Sequence, residues 1–175
     1  MQKVKLPKQV DPVKSAVKRS EYSGVMMSKD MPRLVEVVSG IADTIDVYLK
    51  FEKDEQGLTI FHGTLSTSVE LICQRCNDSM AHSIDVSFCF SPVQGQEQSV
   101  LDELPEAYEP VEVNDHGEVN LLQLFEDELM LSLPIVALHA EEDCPVKEED
   151  MSFGDIEPVD ERPNPFAVLK ELKRD

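Results

Sequence analysis

Between Asp43 and Phe90 apolar residues recur at every second position, and that alternation limits the fold more than any other feature of the chain. Ile45, Val47, Leu49 and Phe51 alternate with Thr44, Asp46, Tyr48 and Lys50, the pattern of a strand with one buried and one wet face. Residues 53–57 read as a turn. Leu58, Ile60 and His62 begin a return strand, Gly63 is expected to form a bulge, and Leu65, Val69 and Leu71 carry the alternation on. After polar Asn77, Asp78 and Ser79, the residues Ile84, Val86, Phe88 and Phe90 alternate again, and Ser91-Pro92 is expected to stop that strand. Three long antiparallel strands in meander order are the economical arrangement.

Such a sheet needs cover on its apolar face, and helical spacing appears on both sides of it. Asp30 and Pro32 suit a helix start, Met31, Leu34, Val35 and Val38 form one face, and Gly40 ends a helix near 31–39. Asn120 followed by Gln123 resembles a capping arrangement. Leu121, Leu122, Leu124, Phe125 and Leu129 then give a helix over 121–132, with Glu126 and Asp127 expected in water and Pro134 as its stop. Val4 and Leu6 read as an edge strand followed by a polar, partly helical link, and residues 93–119 as a long loop with an extended piece around Val111 and Val113. The fold class is α+β: a twisted, mainly antiparallel sheet or partial barrel packed by two to three helices, with a long acidic loop and tail.

The chain reads as a single domain over 1–175, long enough to bury a core without disulfides. Its parts are a basic arm (1–19), a core (20–140), an acidic segment (141–161) for which disorder is the default, and a C-terminal helix (162–175). That last helix starts at Asn164 and Pro165, carries Phe166, Leu169 and Leu172 as a narrow stripe, and must dock on something.

Net charge is -19, and its distribution sorts partners. Residues 1–19 hold six bases against one acid, whereas residues 97–161 hold 21 acids against the single base Lys147. The acidic half cannot lie on phosphates without cost, so Lys3, Lys5 and Lys8 of the arm are the candidates for nucleic-acid contact. There is no long apolar run and no leader-like start, which points to the cytoplasm, no membrane contact and reduced thiols.

One constellation could carry chemistry. Cys73 and Cys76 end the second strand of the meander, and His139 and Cys144 lie far downstream with a spacing that also suits two ligands of one ion. Two readings stand: a closed structural zinc site, or a small core residue (Cys73), two loop thiols and an ordinary histidine at a strand end. A redox pair is disfavoured because the Cys-x-x-Cys precedes a polar hairpin turn and opens no helix that would lower a thiol pKa. Cys89 has the opposite strand parity and is not expected to join the site. Neither a nucleophile elbow, a phosphate loop nor a zinc-protease motif occurs, so no enzyme is expected.

The opening M-Q-K-V-K-L-P, the C-Q-R-C turn, C-F-S-P-V, L-P-E-A-Y-E-P, D-E-L-M-L-S-L-P and the closing P-N-P-F-A-V-L together resemble the YceD family, the large ribosomal RNA subunit accumulation proteins of bacteria. The resemblance runs from end to end. It implies a non-catalytic role in the synthesis, processing or stability of large-subunit (23S) ribosomal RNA, in support of ribosome biogenesis. The implied partner is that RNA or its precursor, reached directly or through a basic ribosomal protein. The alternative is an acidic module with a structural zinc that engages a basic partner outside the ribosome.

Overall fold

The computed structural model describes residues 4–95, 104–147, 150 and 154, with side chains from Leu6 onward. The chain falls into two compact units, Met1–Cys144 and Pro145–Asp175, and the sheet, the helices and the cysteine cluster belong to the first. The expected C-terminal helix and most of the acidic segment lie outside the described residues.

The predicted meander is the centre of the first unit. Strands β5 (Thr44–Lys53), β6 (Thr59–Ile72) and β7 (Ser79–Val93) pair antiparallel in sequence order. Around them stand β1 (Val4–Lys5), β3 (Glu21–Met27), β4 (Gly40–Ile41) and β8 (Glu109–Glu112), in a sheet ordered β1-β3-β5-β6-β7-β8 with β4 also on β6. The sheet is open, and its outermost strands β1 and β8 pair parallel to their neighbours. A second, two-stranded sheet joins β2 (Gln9–Val10) to β9 (Val119–Asn120).

Register corrects the expectation at Gly63. The pairing of β6 with both neighbours runs through Gly63 without interruption, Leu49 facing it on one side and Phe88 on the other. Phe61, Gly63, Leu65, Val69, Leu71 and Cys73 therefore share the inward parity, and Ile60 is buried on the opposite one. Glycine is required for closeness: a Cβ there would lie 1.9 Å from the Tyr48 carbonyl oxygen on β5. Pro92 likewise does not stop β7. The ladder to β6 ends at Phe90, so Pro92 removes no donor from it, and the strand continues against β8 through Val93.

Three helices cover the sheet and its ends. The polar link that follows the arm's edge strand is α1 (Pro12–Val17), capped by Asp11, whose carboxylate accepts the Lys14 N–H at 2.8 Å; it packs on β5 and β6 with Ser15 and Ala16 buried. Leu6 and Val10 enter the core, so the arm is anchored. A 3-10 turn at Ser28–Asp30 leads to α2 (Pro32–Val37), shorter than the period suggests, with Met31 and Leu34 fully buried and Val35 exposed. Helix α3 (Leu121–Leu131) starts as expected, its Asn120 side chain accepting the Gln123 N–H at 3.3 Å, and buries Leu121, Phe125 and Leu129.

Glu126 is a second correction. Expected in water, it is only 5 % exposed. Met31, at the N-cap of α2, has no side-chain acceptor, which leaves that helix with orphan N–H donors. Glu126 supplies the acceptor from α3, taking hydrogen bonds from the Arg33 N–H at 2.7 Å and the Leu34 N–H at 3.3 Å, and pairing with the Arg33 guanidinium at 2.8 Å. Asp127 stays partly wet and takes the other arm of Arg33.

Candidate metal centre

At one end of the β6–β7 hairpin the chain narrows to a six-residue tip. The Cys73 N–H donates to the Asp78 carbonyl and the Asn77 N–H to the Cys73 carbonyl, both at 2.9 Å, with Asn77 in the left-handed region that asparagine tolerates. The tip carries Cys73 on the buried face, continuing the inward parity of Leu71, and turns Cys76 back towards it.

The other two residues arrive on the segment after α3. Beyond Pro134 it bends at Ile135 and Val136 and lies beside the tip: the Gln74 N–H donates to the Ala137 carbonyl at 2.8 Å, the Gln74 amide to the Ile135 carbonyl at 3.4 Å, and the His139 N–H to the Cys73 sulfur at 3.5 Å. A turn, in which the Asp143 and Cys144 N–H groups both donate to the Ala140 carbonyl, then folds Cys144 under His139. The ligand atoms of Cys73, Cys76, His139 and Cys144 lie within 4.8 Å of one another, and Cys76 Sγ is 3.4 Å from His139 Nδ1. Four ligands around one zinc stand roughly 3.8 Å apart, so only small side-chain adjustments separate this cluster from a tetrahedral site. Cys73 and Cys144 are buried and all four thiols are free, while Cys89, as its parity requires, lies elsewhere on β7 beside His62.

The surroundings push two of these thiols in opposite directions. Burial pushes the Cys73 thiol up, but the N–H groups of His139, Cys76 and Arg75 point at its sulfur and hold it down, to about 5. Cys76 goes the other way, to about 11, through burial and the neighbouring sulfurs of Cys73 and Cys144. A site that forms one thiolate easily and a second only at high pH is one that a dication would complete. Arg75 adds to the fit: its Nη1 is buried without a hydrogen-bond partner among the described residues, two positions from Cys73 and next to Cys76. Three thiolates and an imidazole on a divalent ion carry one net negative charge, which a guanidinium beside them offsets. The cluster is thus a Cys3His group positioned to hold a metal, with four protein ligands and no vacant position.

The arm lysines form no comparable cluster. Lys3 lies outside the described residues, Lys5 sits on edge strand β1, and Lys8 Nζ is 3.5 Å from an Asp30 carboxylate oxygen. Among the described residues no helix is long and apolar enough to cross a membrane. Two residues escaped sequence reasoning. Arg75 was flagged only by lying inside the Cys-x-x-Cys, and Glu126 could have been suspected from a helix start at Pro32 with methionine before it.

Fold and site together define an α+β protein built on a twisted open sheet, whose hairpin tip meets a distant segment at a Cys3His cluster positioned to hold a metal. Comparison with known proteins carries this to a family. Residues 61–173 match the family model of the large ribosomal RNA subunit accumulation protein YceD, and the chain belongs to that family. It is 42 % identical over 175 residues to a Haemophilus influenzae protein named large ribosomal RNA subunit accumulation protein YceD, covering 99 % of each. No solved structure matches the chain.

Proposed function

We propose that this chain acts in the cytoplasm in the synthesis, processing or stability of large-subunit ribosomal RNA, as a non-catalytic factor of ribosome biogenesis. The carrying observation is the likeness, over 99 % of both chains, to a relative whose name states that role. The alternative of an acidic module working away from the ribosome gains nothing from that name. Support for a non-catalytic role comes from the reactive side chains themselves, which converge on a ligand set that leaves no open coordination position for a substrate. Within this reading Cys73, Cys76, His139 and Cys144 hold one structural zinc.

RNA or its precursor is met through a basic ribosomal protein more than directly. Lys8 has an aspartate beside it, and the 21 acids of residues 97–161 repel phosphate and suit a Lys/Arg-rich surface. Deleting the gene tests the role: the ratio of large- to small-subunit ribosomal RNA falls and returns with the wild-type gene. An unchanged ratio and normal subunit profile contradict it.

A further inference from the structure

Residues 131–140 contain no charged side chain in a chain that is 29 % charged, yet this stretch is largely at the surface. Leu131 is 79 % exposed, Ile135 97 %, Val136 55 % and Leu138 38 %. Single exposed aliphatic residues are ordinary; four within eight residues are a patch. The backbone beneath them is not free. Ala137 is buried, its carbonyl and that of Ile135 accept from Gln74, and His139 donates to the Cys73 sulfur. The chain holds these side chains outward on a pinned strap whose far end is the metal centre.

The surroundings say what would cover them. Asp127 and Glu128 precede the strap in sequence and Glu141, Glu142 and Asp143 follow it, with no lysine or arginine between residues 121 and 144. Two cations stand near its ends: Arg33, already paired with Glu126 and Asp127, and Arg75, next to the Gln74 that bonds the strap. An apolar strip framed by carboxylates disfavours RNA, whose phosphates would be repelled and whose bases would find no exposed aromatic ring to stack on. It disfavours an anionic lipid surface for the same electrostatic reason. A second copy would bring another net charge of -19 to the contact.

We propose that the strap Leu131–Leu138 is a docking face for a Lys/Arg-rich segment of a partner protein that presents two or three aliphatic side chains to Ile135, Val136 and Leu138. The aliphatic contacts supply specificity, and the flanking acids steer the basic segment in and place its charges. The inference deepens the reading that this protein meets ribosomal RNA through a basic protein, and rests on the metal centre only for how the strap is held.

The test is fluorescence anisotropy on the full chain with two labelled peptides of equal charge, one of lysine and leucine and one of lysine and serine. The leucine peptide binds about tenfold or more tightly than the serine peptide, and Ile135→Ser/Val136→Ser removes that difference while melting temperature and metal content stay at wild-type values. Glu141→Gln/Glu142→Gln/Asp143→Asn weakens both peptides and flattens their salt dependence. Equal binding of the two peptides, or a preference that survives Ile135→Ser/Val136→Ser, overturns the proposal. So does a wild-type dimer in sedimentation that the same double variant dissolves, because the occupant is then a second copy. Selective binding by protein that purifies without metal would leave the docking face standing and remove the zinc. Selective binding with normal ribosomal RNA after gene deletion would leave it standing and remove the ribosomal role.

Discussion

The two ends of the β6–β7 hairpin are held by different physics. At one end Phe51, Phe61, Phe90, Phe88 and Phe125 form a chain of rings with centroids 5.1–5.5 Å apart, running from β5 across β6 and β7 onto α3. Three of these side chains, Phe51, Phe61 and Phe125, are completely buried, so apolar area and ring contacts suffice there. At the other end Ile72 is 45 % exposed and the neighbouring segment carries its aliphatic side chains outward. Val69, Leu71 and Ala137 are buried at this end, but no ring chain reaches it, and Cys73, Cys76, His139 and Cys144 cluster there instead. On the proposed reading, a zinc held by the four clustered side chains would stabilise the end of the hairpin that the ring chain does not reach.

The largest effect that would sharpen this contrast is at the aromatic end. Phe61→Ala should cost about 4 kcal/mol and lower the single thermal transition of the whole sheet, as read by calorimetry. A loss under about 1 kcal/mol would mean that the ring chain is not the principal fastening.

Next comes Cys76→Ser, or a strong chelator on the wild-type protein. Amide exchange should accelerate at the tip, at Leu71, Ile72 and Ser79, while Phe61 and Phe90 keep their protection. Uniform acceleration across both ends would break the division. Smaller again is Glu126→Ala, which strands the α2 N–H groups and Arg33. Because Arg33 is itself 45 % exposed, the expected loss is about 2 kcal/mol, below that of a fully buried pair, and Glu126→Gln should recover part of it.

How much of this could be read from residues differs between the two ends. The clustering of Cys73, Cys76, His139 and Cys144 was legible because Cys-x-x-Cys and His-x4-Cys are local patterns of chemistry, and strand parity placed Cys73 inward and Cys89 away. The meander was legible from alternation alone. Strand β3 was not, since Ser23 and Gly24 dilute its alternation and only Met26 of its apolar side chains is fully buried. Gly63 was misread as a bulge because Ile60 and Phe61 are both buried, one on each face, which mimics a phase shift. Pro92 was misread because a proline halts a strand only where its missing donor is needed. Glu126 was invisible for another reason: its partner lies 93 residues away, and no local period reports a contact of that kind.

The smallest expected effect concerns protons. With Cys76 held up to about 11 and Cys73 down to about 5, the Cys73 thiol gives up its proton more readily than the Cys76 thiol. Zinc must displace the Cys76 proton, so apparent affinity should rise at least tenfold per pH unit across this range, and steepen below about 5 as Cys73 also protonates. Calorimetry in buffers of different ionisation enthalpy should record at least one proton released per zinc at pH 7. Release of none would contradict a Cys76 thiol held up to about 11.

Fastening of the hairpin tip by a metal is tested most directly by the metal content of the full chain purified without chelators. Mass spectrometry under native conditions should give one zinc per chain in the wild-type protein and a substoichiometric amount in Cys76→Ser. A folded wild-type protein with no zinc, binding none when it is supplied at neutral pH, would mean that no metal fastens the tip.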